Sequence, residues 1–145
     1  MPSRVQRQRT KGWRTPLCSC GCGKPAIYVG RPTKWGNPWH IGPDLTPFMA
    51  AWLYGECLAG RRAWPFSDPM PTKAEIRAEL QRHDLMCWCP VKDPRYGNRV
   101  CCHADVLLKI ANMSVNGIPI EYALKFPTWR EAMDYACGRA GRGWQ

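Results

Sequence analysis

The first forty-three residues contain no acidic side chain. They carry eight Lys or Arg, and the first acid is Asp44; beyond it thirteen basic and eleven acidic residues nearly balance. The net charge of +10 is therefore concentrated in an N-terminal arm on a near-neutral body. Such an arm points to a polyanionic partner, a nucleic acid or a phosphorylated ligand; the plainer alternative is a solvated tail that aids solubility. The chain also lacks any apolar stretch long enough to span a bilayer, and no signal-peptide hydrophobic region follows its basic start. The expectation is a cytoplasmic protein without a membrane partner, in a compartment that keeps thiols reduced. There is no internal repeat. P-loop and Rossmann glycine fingerprints are missing, as are the H-x-E and P-C-x-x-C patterns of zinc deaminases. No pair of carboxylates stands out for acid–base work.

Cysteine, by contrast, is abundant. Nine cysteines in a reduced compartment argue for metal binding or catalysis rather than a disulfide framework, which the odd count also fits poorly. Four of them lie in the stretch His83 to Asn112, gathered with His103 at the two ends of a loop. There Leu85-Met86-Cys87-Trp88-Cys89, closed by Pro90, reads as a strand of a covered sheet. After a polar loop, Cys101-Cys102-His103 opens a helix whose apolar residues Val106, Leu107 and Ile110 share one face, with Asn112 at its end. The carboxyl end of a strand and the amino end of the next helix are where α/β proteins place ligands.

The remaining chain fits the same class. Arg4 to Arg7 has the makings of an edge strand, though nothing local forces it. Ala26 to Val29 is β-branched and aromatic and reads as a strand ending at Gly30, followed by the turn-rich loop Arg31 to Pro38. Thr46 with Pro47 predicts a helix to about Ala59, and the capping box Thr72-x-x-Glu75 a second one to about Arg82. Ile118-Pro119-Ile120 is at most an edge strand, and Thr128-x-x-Glu131 would cap a short last helix. The expectation is an α/β fold: a small sheet, at least partly parallel, with flanking helices and an appended C-terminal segment. Residues 1–113 would form the basic arm and core, and 114–145 an extension packed on it. A right-handed crossover through two helices would make strands 26–30 and 84–89 parallel and open both of their ends on one edge.

Several stretches together carry a resemblance: Arg9-Thr10-Lys11-Gly12-Trp13, Tyr28-Val29-Gly30-Arg31, Lys34-Trp35-Gly36-Asn37-Pro38, Cys87-Trp88-Cys89 and Cys102-His103-Ala104-Asp105-Val106-Leu107-Leu108. Over roughly residues 4 to 112 the chain resembles the small proteins of the family catalogued as domain of unknown function 4326, found in bacteria, phages and some eukaryotes. The resemblance implies a compact α/β domain and no agreed activity. The triple-cysteine segment at 18–22 and the long loop before Cys102, with its extra Cys101, depart from it.

Three constellations could carry chemistry. Cys87 and Cys89 share one face of a strand, and twelve residues separate Cys89 from Cys102, which His103 follows. These four suit a tetrahedral zinc ion, although adjacent Cys102 and His103 do not easily point at one metal. Alternatively Cys102 or Cys89 is a nucleophile paired with His103, with Asp105 nearby, or the cluster is structural. Second, the loop with Arg31, Lys34, Trp35 and Asn37 offers cations for phosphate, an amide for a base edge and an indole for stacking; otherwise Trp35 belongs to the core. Third, the arm Arg4, Arg7, Arg9, Lys11, Trp13 and Arg14 mixes cations with an aromatic, as phosphate-tracking segments do. Cys18, Cys20 and Cys22 could form a second zinc site with a ligand from elsewhere, while Cys57, His40 and His83 show no partner. The leading expectation is a protein that binds a nucleotide or nucleic-acid phosphate where the basic loops meet the Cys/His cluster. The alternatives are an enzyme acting on a nucleotide or nucleobase through a reactive cysteine or zinc, and a phage-type interaction module docking its tryptophans on a host protein.

Overall fold

The computed structural model describes residues 2–92 and 100–112. The expected extension at 114–145, with its strand and last helix, lies outside the described residues. Within them the chain is a small α/β fold: strands β1 (Arg4–Gln6), β2 (Ile27–Tyr28) and β3 (Leu85–Cys87), and helices α1 (Pro47–Leu58), α2 (Lys73–Leu80) and α3 (His103–Asn112). The three strands are parallel in the order β1-β3-β2. Arg4 and Ile27 both stand opposite Leu85, and Val5 and Tyr28 both opposite Met86. All of β3 is buried, as an apolar strand at the centre of a covered parallel sheet should be. The strand at Arg4 is real, but its partner lies more than eighty residues away. Leu85 N–H donates to Ser3 O at 3.1 Å and Arg7 N–H to Cys87 O at 2.8 Å, which fixes β1 on the central strand.

The helices begin where their capping residues put them. Thr46 accepts from Met49 N–H at 3.2 Å with Pro47 in the first turn, and Thr72 accepts from Glu75 N–H at 3.1 Å. α2 stops at Leu80, before the expected end at Arg82. Gln81 is extended, and Arg82 is left-handed with φ 69°, held by its N–H donating to Asn112 Oδ1 at 2.8 Å. α3 packs on both other helices and on β3, with Val106, Leu107 and Ile110 inside, the same residues that set its sequence period.

Trp35 is a core residue, 5% exposed, and not the stacking face that its loop position allowed. Tyr54 of α1, wholly buried, donates from its hydroxyl to Trp35 O at 2.8 Å and so ties the loop to the helix. Gly36 lies hard against Arg31; a Cβ there would come within 2.8 Å of Arg31 Cγ and 3.0 Å of Arg31 Cα. Its small size folds the loop on itself.

Two substitutions test this packing by urea denaturation. Tyr54→Phe strands the buried Trp35 carbonyl and should cost about 1–3 kcal/mol. Leu107→Ala opens a cavity under α3 and should cost about 2–5 kcal/mol.

Candidate functional site

Because the strands are parallel, Arg7 after β1, Val29 to Arg31 after β2, and Trp88 and Cys89 after β3 all emerge on one edge of the sheet. The start of α3 lies there too, since His103 Nε2 stands 2.8 Å from Val29 O and its ring packs edge-on against Tyr54. Between them lies a cavity of about 270 Å³. Its walls include Tyr28, Arg31, Asn37, Trp39, His40 and Trp88, and its floor Cys87, Cys89, Cys102 and His103.

The floor is built around one charge. Arg4 points inward from β1 and its side chain is completely buried. Nη1 donates to Cys89 O at 2.9 Å and Pro90 O at 3.3 Å, Nη2 donates to Val100 O, and Nε lies 3.1 Å from Asp105 Oδ2. That last contact is an ion pair without hydrogen-bond alignment. Asp105 in turn accepts from Cys102 N–H at 3.0 Å, and Cys102 Sγ accepts from Ala104 N–H at 3.3 Å, so Cys102 caps α3. Cys102 Sγ stands 3.3 Å from Cys87 Sγ, and Cys87 Sγ 3.9 Å from Arg4 Nη1.

Burial opposes ionisation of Cys102. Hydrogen bonds from the Cys87 and Cys89 thiols and the charge of Arg4 outweigh it and hold Cys102 well below the ordinary thiol range. Cys87 and Cys89 are pushed up, first by their hydrogen bonds to Cys102. The shifts run in opposite directions, so within the floor Cys102 is the thiol most favoured to ionise. His103 is shifted down, chiefly by burial, which keeps the imidazole neutral against the Val29 carbonyl. For Arg4, burial is the largest effect and disfavours charge, but Cys102, Asp105 and Cys87 together raise its pKa, and it stays cationic.

Among the described residues, two groups of ligand atoms converge closely enough to hold a metal ion. The donor atoms of Cys87, Cys89 and Cys102 lie within 4.8 Å of one another, as do those of Cys18, Cys20, Cys22 and His83. His103, expected as a ligand, is not in the first group. Its Nε2 is instead 2.8 Å from Val29 O. His83, which has no partner visible in sequence, completes the second. Cys101 is disulfide-bonded, and Cys57 is buried in α1 with its thiol donating to Ala63 O.

The loop residues separate. Arg31 reaches the cavity, where Nη1 contacts His40. Asn37 lines it as well, but Nδ2 donates to Ala50 O at 3.0 Å and Oδ1 accepts from Trp39 N–H at 3.0 Å, so the amide braces the wall. Lys34 does not reach it, because Glu75 and Glu79 of α2 hold Nζ at 3.5 and 2.6 Å. In the arm, the Arg9 guanidinium lies 4.6 Å above the Trp88 ring, and Arg7 lies 4.9 Å from both Trp88 and Tyr28. Lys11 is exposed, and Trp13 half-buried at a turn closed by its N–H to Thr10 O. Tyr28, Trp88 and His40 are the participants that sequence reasoning gave no role; for Tyr28 and Trp88 the position at a strand end is the signal that finds them. Arg4, read in sequence as one of the arm's phosphate-tracking cations, is instead buried in the floor.

Breaking the buried pair from one side should be severe. Arg4→Met leaves Asp105 uncompensated and should cost about 3–5 kcal/mol. Arg4→Met with Asp105→Asn should be more stable than Arg4→Met alone, because the asparagine still accepts from Cys102 N–H without a charge. Chemical denaturation of the three proteins checks the order.

Among known proteins, no curated sequence and no solved structure matches the chain. A family model does match, over residues 5–113, from the arm to the last turn of α3, and the chain belongs to the family described as domain of unknown function DUF4326.

Proposed function

We propose that this protein binds a nucleotide, free or within a nucleic acid, in the cavity at the carboxyl edge of its sheet, above a thiol floor suited to zinc. The observation that supports this is the joining of Arg31 and His40 with the rings of Tyr28, Trp39 and Trp88 around one opening. A guanidinium is a geometric match for phosphate, and indole and phenol faces stack bases whatever their identity. Arg7 and Arg9, stacked at the rim, extend the positive wall into the basic arm. The cavity falls just below the ~300–1,000 Å³ usual for small-molecule sites, which favours one nucleotide over a dinucleotide.

A second reading, an enzyme acting on the bound nucleotide, is favoured by the three cysteines opening into the same cavity. Three protein ligands with one position left open are the pattern of catalytic rather than structural zinc, and zinc there would supply a Lewis acid beside the ligand. Among the described residues no carboxylate lines the cavity, so proton transfer would fall to an imidazole. Asp105 is committed to Arg4 and to the cap of α3. A tryptophan-rich docking face has less support, since Trp88 is the only exposed tryptophan among the described residues.

Thermal-shift titration with nucleoside mono- and triphosphates tests the reading. A bound nucleotide should stabilise the fold by about 2.7 kcal/mol at a hundredfold excess over its dissociation constant. Arg31→Gln and Trp88→Ala should weaken that stabilisation, and Lys34→Gln should leave it unchanged. If no nucleotide stabilises the parent chain, or if Lys34→Gln is as damaging as Arg31→Gln, the cavity is not the binding site.

A further inference from the structure

The second cluster lies away from the cavity, at the opposite edge of the sheet, where the chain enters β3. Its loop is closed at the base by an antiparallel bridge between Leu17 and Pro25, with Cys18 N–H donating to Lys24 O at 2.7 Å. Gly21 and Gly23 take φ values of 86° and 78°, which lets the loop turn tightly enough to bring three alternate cysteines to one side. Above them stands His83. Its Nδ1 lies 3.7 Å from Cys18 Sγ, 4.0 Å from Cys20 Sγ and 3.9 Å from Cys22 Sγ. In a tetrahedral zinc site with ordinary bond lengths, a sulfur and a nitrogen ligand are about 3.6 Å apart and two sulfurs about 3.8 Å. The three nitrogen–sulfur distances are within a few tenths of an ångström of the first value, and all four donors lie within 4.8 Å of one another.

Their surroundings hold them there. Cys18 Sγ accepts from Asp84 N–H at 3.3 Å, a contact that favours thiolate. The Asp84 carboxylate accepts from Ser3 N–H, Ser19 N–H and Ser19 Oγ, each at 2.8 Å, and so joins the cysteine loop, the amino terminus and β3. The left-handed residue Arg82, a conformation unfavourable for a residue with a Cβ, directly precedes His83 and turns it toward the loop. Three thiols gathered round one imidazole are not the arrangement of a disulfide, which pairs two.

We infer that Cys18, Cys20, Cys22 and His83 bind one zinc ion in a closed four-ligand site that fastens the 17–25 loop to the start of the central strand. The ion would bridge chain segments separated by more than sixty residues, and with four protein ligands it has no open position for substrate. Its role would be to hold the fold, independently of whether the cavity binds a nucleotide.

Two measurements on the full-length chain test this. The first needs no substitution. Cys20 and Cys22 are exposed, so as free thiols they would react quickly with iodoacetamide. Peptide mapping should find both protected in the protein as purified and labelled after a zinc chelator is added, with a fall in melting temperature. The second is elemental analysis. Cys20→Ser with Cys22→Ser should lose one equivalent of zinc relative to the parent, whereas His83→Cys, which restores a fourth ligand, should keep it. Cys89→Ser should leave this equivalent in place, since it belongs to the other cluster. Immediate labelling of Cys20 and Cys22 before chelation, or equal zinc in the parent and the double serine variant, would overturn the inference.

Discussion

A buried cation sets the terms for the rest of this molecule. Arg4 cannot be taken out of water unless its donors are met and its charge answered, and no single element supplies both. The carbonyls come from the ends of the chain segments after β3 and before α3, at Cys89, Pro90 and Val100; the negative charge comes from α3 itself, at Asp105. Satisfying one guanidinium therefore registers β1 against β3, draws the two ends of the intervening loop together, and positions the first turn of α3. The thiols sit where they do as a by-product: Cys87 and Cys89 belong to a strand end that Arg4 grips, and Cys102 to a helix start held by the carboxylate that Arg4 pairs with. The same charge then adds to the hydrogen bonds from Cys87 and Cys89 that lower the Cys102 pKa, so the interaction that positions the floor also contributes to its chemistry.

That arrangement also changes the meaning of the basic arm. Seen as composition, cations ahead of the first acid are equally a tail or a phosphate tracker. In the fold they take different roles, Arg31 lining the cavity and Lys34 paired with α2. Arg4 is structural. Arg7 lies over the Tyr28 and Trp88 rings and Arg9 over Trp88, two aromatics that line the cavity. Lys11 is exposed. A guanidinium stacked on an aromatic keeps its in-plane donors for an anion, and lysine has no equivalent posture. Positive charge at the rim is thereby pre-organised in the residues that can stack.

How far the sequence was readable follows the range of the interactions involved. Helix starts at Thr46 and Thr72, and the apolar face of α3, depend on residues three or four positions apart, and they were legible. So was the parallel pairing of β2 with β3, because crossover handedness and two strand patterns suffice. β1 was barely legible, since what makes Arg4 to Gln6 a strand is a partner eighty residues on. Lys34 was misplaced for a similar reason: its counter-charges, Glu75 and Glu79, sit on another element and take it out of the cavity. Trp35 looked like a stacking face and is core, and His103 looked like a ligand but bonds to a carbonyl. His83 offered no clue at all, because three cysteines more than sixty residues earlier give it its setting.

The central strand connects the two candidate centres and separates their roles. From His83 to Cys87 the chain is extended over four residues, about 13 Å, so one short strand presents a ligand of the closed cluster near its amino end and ligands of the open cluster at its carboxyl end. Parallel sheets impose this polarity: carboxyl edges, flanked by helix starts, gather loops and ligands, whereas amino edges are free to serve stability. A four-donor set at the amino edge and a three-donor set facing a cavity at the carboxyl edge follow that division. The geometry of Cys87, at the boundary, makes the coupling physical. Whatever holds His83 and Asp84 in place also limits how far β3 can slide against β1 and β2. A slide of one residue would turn Cys87 to the other face and dismantle the thiol floor. The two clusters are therefore linked by the register of one strand.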